Sequence, residues 1–148
     1  MKVIFLDVDG VLNSWRYDAQ RTQAQGNIDR SRLVLIKWLV DRTDAKIVLS
    51  STWRHLLGTD EGRELEDAFR DSLLTIYDVT PDINNDRPCE IKMWLSLHPE
   101  TEKFVIIDDI KMGWGELDAR VIKTDYRIGR GVEERHVRMA AEMLKGEV

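Results

Sequence analysis

Three short apolar runs in this sequence each end in side chains that can act on phosphate or bind a metal. KVIFLD (residues 2–7) ends in an acid, AKIVLSS (45–51) ends in two hydroxyls, and KFVIID (103–108) ends in an acid that a second acid follows. The residues concerned are Asp7 and Asp9, Ser50 and Ser51, and Asp108 and Asp109. Chance is a poor explanation for three such clusters, and they indicate a catalytic site.

The spacing of Asp7 and Asp9 suits phosphoryl chemistry. Residues two apart in extended chain point the same way, with roughly 6–7 Å between them, so these carboxylates can lie on either side of a phosphoryl group. A carboxylate nucleophile forms an aspartyl-phosphate and divides a difficult displacement into two easier steps. One carboxylate of the pair is therefore predicted to attack while the other handles protons.

Clustered carboxylates repel one another and an incoming phosphate, so the site needs a divalent cation. Magnesium suits a few protein carboxylates together with substrate oxygens, and Asp7 and Asp108 are the predicted ligands. The phosphoryl oxygens also need donors, for which Ser50, backbone N–H groups after Asp7 and the cation of Arg87 are predicted. Gly10 lets the turn after Asp7 approach closely.

Strand and helix patterns alternate along the chain and position these residues. Five strands are predicted, at residues 2–7, 45–51, 72–79, 103–108 and 119–124. Helices are predicted at 30–42 after the cap Asp29, at 61–70, from Pro88 onward, and at 132–145. This order favours an α/β fold, a Rossmann-like three-layer sandwich with a central parallel five-stranded sheet. Ligands of such sheets bind beyond the carboxyl ends of the strands.

Composition limits the other possibilities. The 148 residues, 43% of them hydrophobic, predict one domain spanning 1–148. No secretory or membrane-spanning stretch is predicted, and the single cysteine, Cys89, suits a reducing compartment, so a cytoplasmic protein is expected. A net charge of −5 argues against broad, salt-driven adhesion to a nucleic-acid backbone.

The same residues resemble a known family. FLDVDGVLN, VLS at the second strand end, Arg87-Pro88 before a helix, and VIIDD are similar to the four-motif signature of the haloacid dehalogenase (HAD) superfamily of phosphohydrolases. The resemblance implies Asp7 as nucleophile, Asp9 as general acid and then base, and Ser50 as phosphate binder. It also implies a magnesium site at Asp108 with Asp109 nearby, to which Asp9 contributes its backbone carbonyl.

The third motif departs from the family pattern. Lysine is usual there, whereas this chain has Arg87, and Lys92 lies one turn into the following helix. Both residues are therefore candidates for the cation that binds the phosphoryl group.

A narrower resemblance covers nearly the whole chain. SSTWR, EIKMWLSLHP and VIKTDYRIG look like small capless members of the superfamily, such as the HAD domain of RNA-repair (Swiss Army Knife) proteins. The resemblance implies phosphatase action on nucleotides or nucleic-acid phosphate ends, with nucleic-acid repair enzymes as partners. The insert at residues 14–28 is too short for a cap domain, so the crevice is expected to be open.

Specificity is expected from the segments 14–28 and 52–63. Arg16 and Arg54 offer phosphate contacts, and Trp53 either stacks on a base or sugar or packs under its loop. Gly10 and Ser51 are further predicted substrate contacts, although strand alternation favours Ser50 over Ser51 as the phosphate binder.

Other functions remain open from the sequence alone. They are a sugar-phosphate phosphatase, a dehalogenase, a phosphomutase and a non-catalytic nucleic-acid-binding module. A signalling receiver module carries its phosphorylated aspartate on the third strand, whereas this chain has its DxDG at the first.

Overall fold

The computed structural model describes residues 1–145 and contains a five-stranded parallel sheet, which confirms the predicted fold class. Along the sheet the strand order is β3-β2-β1-β4-β5, with β1 at the centre. The strands are β1 Lys2–Leu6, β2 Lys46–Leu49, β3 Ile76–Val79, β4 Lys103–Asp108 and β5 Val121–Lys123. All four neighbouring pairs are parallel.

Helices connect the strands. They are α1 Trp15–Gln20, α2 Arg30–Thr43, α3 Arg63–Asp71, α4 Arg87–Leu97 and α5 Glu134–Lys145. Short 3₁₀ turns occur at Gln23–Gln25, Thr52–Leu56 and Gly115–Arg120. Among residues 1–145, none of these helices has the length and apolar character needed to cross a bilayer.

The central strand is buried on both faces, as the apolar sequence VIFL predicts. Ile4 and Leu6 pack into a core cluster that includes residues of α2, α3 and α5. Val3 and Phe5 point the other way, into a second cluster with residues of α4. The alternation along β1 therefore fixes two layers of helix around one sheet.

Capping side chains set the starts of two helices next to the sheet's carboxyl edge. Asp29 caps α2 by accepting a hydrogen bond from the amide of Ser31, at 3.2 Å. Asp86 caps α4 by accepting from the amide of Cys89, also at 3.2 Å. Pro88 suits the first turn of α4 because that position needs no amide donor. The cap at Asp86 thus places Arg87 at the beginning of α4.

One strand begins later than the sequence predicts, and the insert at residues 14–28 forms short helical turns. β3 begins at Ile76 rather than at residue 72, because Ser72 and Leu73 end α3 and Leu73 has a φ of 58°. The insert at residues 14–28 forms the short helix α1, which Ser14 caps, and one 3₁₀ turn. No cap domain is present within the described residues.

Candidate active site

The sheet brings the three predicted clusters to one edge. Asp7 directly follows β1, Ser50 directly follows β2, and Asp108 ends β4. Because β1 lies between β2 and β4, the Asp7 backbone joins both neighbours. Its amide donates to Ile107 O at 3.1 Å, and the preceding carbonyl of Leu6 accepts from the Ser50 amide at 2.8 Å.

Three carboxylates form a compact cluster at this edge. One oxygen from each of Asp7, Asp108 and Asp109 lies within 4.8 Å of the other two. Asp7 is 5% exposed and Asp108 is fully buried. Carboxylate oxygens at this separation are a donor set that suits a hard divalent cation. The cluster could therefore hold a metal ion.

Burial dominates the electrostatics of this cluster. Desolvation raises the pKa of Asp7 well above its ordinary value of 3.8, the neighbouring Asp108 raises it further, and Arg87 opposes both. Desolvation likewise raises the pKa of Asp108, again against the effect of Arg87. A buried carboxylate with a raised pKa is stabilised either by taking up a proton or by binding a cation.

Arg87 supplies the one cation that contacts the cluster among the described residues. Its guanidinium lies 3.4 Å from Asp7 Oδ1 and makes a short ion pair with Asp108. The side chain is 12% exposed, and its Nε is buried without a hydrogen-bond partner within residues 1–145. Arg87 therefore keeps donor capacity next to the proposed nucleophile.

The structure does not bring Lys92 to this cluster. Its ammonium pairs with Glu116 at 2.8 Å, and its side chain is 46% exposed. Five positions along a helix rotate a side chain by about 140° from Arg87, which explains why the two cations leave α4 in different directions. Of the two candidate cations, the geometry therefore favours Arg87 over Lys92.

The two serines have different surroundings. Ser50 is fully buried, and its Oγ has no hydrogen-bond partner in the part of the chain that the structure describes. Ser51 Oγ instead caps the turn Thr52–Leu56 by accepting from the amide of Trp53 at 3.2 Å. Buried hydroxyls are normally hydrogen-bonded, so the Ser50 hydroxyl has its donor available for a ligand.

Asp9 lies outside the metal cluster and is exposed. Its Oδ1 accepts from Asn13 Nδ2 at 3.0 Å, and its Oδ2 accepts from Trp53 Nε1 at 3.1 Å. These contacts engage both oxygens of the Asp9 carboxylate. Of the Asp9 atoms, the backbone carbonyl is the one that the family resemblance assigns to the metal.

Gly10 has a conformational role. Its φ is +84°, and a Cβ at this position would overlap the carboxylate of Asp109. Its amide donates to Asn13 Oδ1 at 2.8 Å, and its carbonyl accepts from Thr124 Oγ1 at 2.6 Å. The amide of Gly10 is thus engaged within the protein, and a contact between Gly10 and the substrate stays a prediction.

The other predicted substrate contacts lie in different environments. Trp53 is 9% exposed, so the structure follows the packing alternative for this side chain. Arg54 is also 9% exposed and pairs with the fully buried Glu90 at 2.9 Å and with Asp82 at 3.4 Å, so its guanidinium is engaged within the protein. Arg16 is exposed on α1.

An open cavity of about 430 Å³ adjoins the site. Asp9, Gly10 and Asp109 form one side of it, and residues of the loops after β4 and β5 form the rest: Lys111, Asp125, Tyr126 and Arg127. A larger cavity, about 660 Å³, is lined by α3 and β3 and contains none of the predicted site residues.

The family model described as the HAD domain in Swiss Army Knife RNA repair proteins matches residues 3–137. The chain belongs to this family. The match extends from β1 into α5 and includes every residue of the carboxylate cluster, so the resemblance read from the four motifs is confirmed. This HAD domain thus carries a fold associated with phosphatase-type or related functions. No curated protein and no solved structure matches the chain.

Sequence reasoning missed one residue beside the carboxylate cluster and one that holds the turn after β2. Asn13 contacts Asp9 and Gly10, and its only signal is its place at the end of FLDVDGVLN. Glu90 holds Arg54 across 36 positions of sequence. Such a pairing has no local pattern, because it depends on how α4 packs against the turn after β2.

Proposed function

We propose that this HAD domain is a Mg²⁺-dependent phosphatase that hydrolyses phosphomonoesters through an aspartyl-phosphate on Asp7. The observation that carries the proposal is the cluster of Asp7, Asp108 and Asp109 within 4.8 Å, with Arg87 in contact. Burial raises the pKa of Asp7 and of Asp108. Clustered carboxylates with raised pKa values are typical of functional sites.

The donor set fits magnesium. Asp7 and Asp108 offer buried carboxylate oxygens, Asp109 packs directly on Gly10, and the Asp9 carbonyl completes the ligands that the family implies. When bound, the ion would neutralise the clustered carboxylates and the oxygens of the phosphate. Its charge also favours the ionised form of Asp7, which a nucleophile requires.

Two of the chain's own groups would bind and orient the phosphoryl group. The Ser50 hydroxyl is buried, unpartnered within the described residues and next in space to the end of β1. The guanidinium of Arg87 lies 3.4 Å from Asp7 Oδ1, so a phosphate bound at Asp7 is within its reach. Donors fixed before the reaction stabilise charge that develops on phosphoryl oxygens.

The first step transfers the phosphoryl group to the protein. A carboxylate oxygen of Asp7 attacks phosphorus, and the bond from phosphorus to the leaving-group oxygen breaks. The protonated carboxyl of Asp9 donates its proton to that leaving oxygen, so an alcohol departs. Asp9 remains as a carboxylate.

The second step returns the protein to its starting state. The Asp9 carboxylate takes a proton from a water molecule whose oxygen attacks phosphorus. The bond between phosphorus and the Asp7 oxygen then breaks, and inorganic phosphate leaves. Asp7 is again a carboxylate, and Asp9 is again protonated for the next turnover.

The proposed substrates are nucleotides or nucleic-acid phosphate ends. The supporting observations are the family itself, the HAD domain in Swiss Army Knife RNA repair proteins, and the open cavity of about 430 Å³ beside Asp9. Nucleic-acid repair enzymes are the proposed partners. Small sugar phosphates are the alternative substrates, because an open site also admits them.

The test is phosphate release by wild type and Asp7→Asn across mononucleotides, 3′- and 5′-phosphorylated oligonucleotides and sugar phosphates, with Mg²⁺ or EDTA. We expect Mg²⁺-dependent release by wild type and none by the variant. Asp41→Asn is the matched control, because its side chain is 60% exposed on α2 and pairs with Lys37. Retained turnover in Asp7→Asn would overturn the mechanism. Tight oligonucleotide binding without wild-type turnover would indicate a non-catalytic binding module.

A further inference from the structure

Both carboxylate oxygens of Asp9 are held by neutral side-chain donors. Asn13 Nδ2 lies 3.0 Å from Oδ1, and Trp53 Nε1 lies 3.1 Å from Oδ2. Without these contacts an exposed aspartate would rotate freely about its side-chain bonds. With them, the plane of the carboxylate is fixed relative to the turn that follows β1.

Trp53 is a rigid donor. The residue is 9% exposed and belongs to the core cluster on the α2 side of the sheet. Its backbone amide is held by the Ser51 hydroxyl, at 3.2 Å. An indole N–H only donates, so this contact cannot exchange roles with its acceptor. The tryptophan is therefore fixed at both its backbone and its ring.

The same short segment carries Ser50, the proposed hydrogen-bond donor to the phosphoryl group. Ser50 is three residues before Trp53, and its amide is bonded to the Leu6 carbonyl at the end of β1. Trp53 lies in the turn Thr52–Leu56 that follows. One segment thus presents a hydroxyl near Asp7 and an N–H to Asp9.

Asn13 completes the support from the other side. It is 4% exposed, its Nδ2 also donates to the carbonyl of Asn27 at 3.1 Å, and its Oδ1 accepts from the Gly10 amide. The turn of residues 9–13 is therefore closed by one buried side chain. Asp9 still faces the open cavity, which it lines with Gly10 and Asp109.

We propose that Trp53 is a positioning residue that orients the Asp9 carboxyl for proton transfer to the leaving group, rather than a platform for the substrate. The inference rests on the proposed phosphatase function. Proton transfer requires a heavy-atom distance of about 2.6–3.2 Å, so a carboxyl that rotates freely is aligned for only part of the time. Loss of the indole N–H should therefore slow the hydrolysis of esters whose leaving group must be protonated more than that of esters whose leaving group departs as an anion.

The test compares Trp53→Phe with Trp94→Phe. Trp94 is a matched control because its Nε1 also donates to an aspartate, Asp78, at 2.8 Å, and its ring is 2% exposed, but neither residue belongs to the site. Single-turnover rates are measured with p-nitrophenyl phosphate, whose leaving group departs as an anion, and with alkyl phosphates, whose leaving group must be protonated.

We expect Trp53→Phe to slow alkyl phosphates about tenfold or more, a fraction of the roughly 10²–10⁴ that general acid catalysis provides. The nitrophenyl ester should slow less than about threefold. Trp94→Phe should change both rates by the same factor. An equal loss on both substrates for Trp53→Phe would overturn the proposal, because a merely structural role slows both alike.

A second measurement needs no turnover. The chain has five tryptophans, so five indole N–H signals are expected by NMR, and Trp53→Phe identifies the one from Trp53. Asp9→Ala should shift that signal and leave the Trp94 signal in place. An unmoved Trp53 signal would overturn the positioning role while the phosphatase assignment stands. Absence of wild-type turnover on every substrate would overturn the proposed function and, with it, the role of Trp53 in catalysis.

Discussion

Asp7→Asn is expected to stabilise the metal-free protein even though it removes the proposed nucleophile. Asp7 is 5% exposed, and one of its carboxylate oxygens lies within 4.8 Å of an oxygen of Asp108 and of Asp109. Desolvation and the charge of Asp108 raise the pKa of Asp7, and Arg87 only partly offsets them. The substitution keeps the shape of the side chain and removes the charge that is unfavourable there.

The geometry gives the size of the effect. At 4.8 Å, the upper limit of the separations in the cluster, and an effective dielectric constant of about 20, two ionised carboxylates repel by about 3.5 kcal/mol; Asp108 has the larger effect on Asp7 and Asp109 the smaller. Arg87 at 3.4 Å attracts Asp7 by about 5 kcal/mol on the same scale. Desolvation, the largest cause of the raised pKa of Asp7, acts together with the repulsion and outweighs this attraction, so the variant should gain stability; each kcal/mol gained raises the melting temperature of a chain of this length by about 2–4 °C.

The pH dependence follows from the direction of the pKa shift. A carboxyl whose pKa is raised by folding contributes stability that is fully present below the unfolded pKa, here near 3.8. That stability is lost as the pH rises through the folded pKa. The contribution of Asp7 to the stability of the metal-free wild type should therefore fall above about pH 4, and the difference in stability between wild type and Asp7→Asn should widen until Asp7 is fully ionised.

Melting curves in EDTA from pH 4 to pH 8 measure this gap, with Asp41→Asn as the control for loss of an exposed carboxylate. Mg²⁺ should then raise the melting temperature of wild type more than that of Asp7→Asn, because the ion binds the folded carboxylate cluster. A variant that is no more stable than wild type in EDTA at neutral pH would refute the reasoning.

Three further predictions test other parts of the site. Ser50→Ala should slow turnover by about 10- to 100-fold without lowering the melting temperature, because the Ser50 hydroxyl has no partner among the described residues; a loss of stability would contradict this. Gly10→Ala should weaken Mg²⁺ binding measured by calorimetry, because its Cβ would overlap a carboxylate of the cluster; unchanged affinity would count against the site. Glu90→Met should lower the free energy of unfolding in urea by about 3–5 kcal/mol, because it leaves the buried Arg54 with only the half-exposed Asp82 as a charged partner, and a loss below about 1 kcal/mol would show that the pair is not needed.

The fold was predictable because its strongest signals are local. Buried strands such as VIFL and FVII are continuous apolar runs, and a chain that alternates them with amphipathic helices has few other ways to bury both faces. The start of β3 was not predictable in this way, because SLLTI reads equally well as strand while Leu73 in fact has a φ of 58° at the end of α3.

The candidate site was predictable only where its residues follow strand ends. Asp7, Ser50 and Asp108 meet because parallel strands bring their carboxyl ends to one edge. The contact of Trp53 with Asp9 and the pair of Arg54 with Glu90 join residues 44 and 36 positions apart. Side chains that look suited to a ligand were therefore engaged within the protein, which only the packing reveals.

The most direct test of the central claim is to find the phosphoryl group on Asp7. Wild type is mixed with Mg²⁺ and a phosphomonoester that it hydrolyses. The mixture is quenched in acid, reduced with borohydride and digested with trypsin. The account predicts homoserine at position 7 in the peptide of residues 3–16, formed only when substrate is present. Turnover without homoserine at position 7, or with the modification at Asp9 instead, would contradict it.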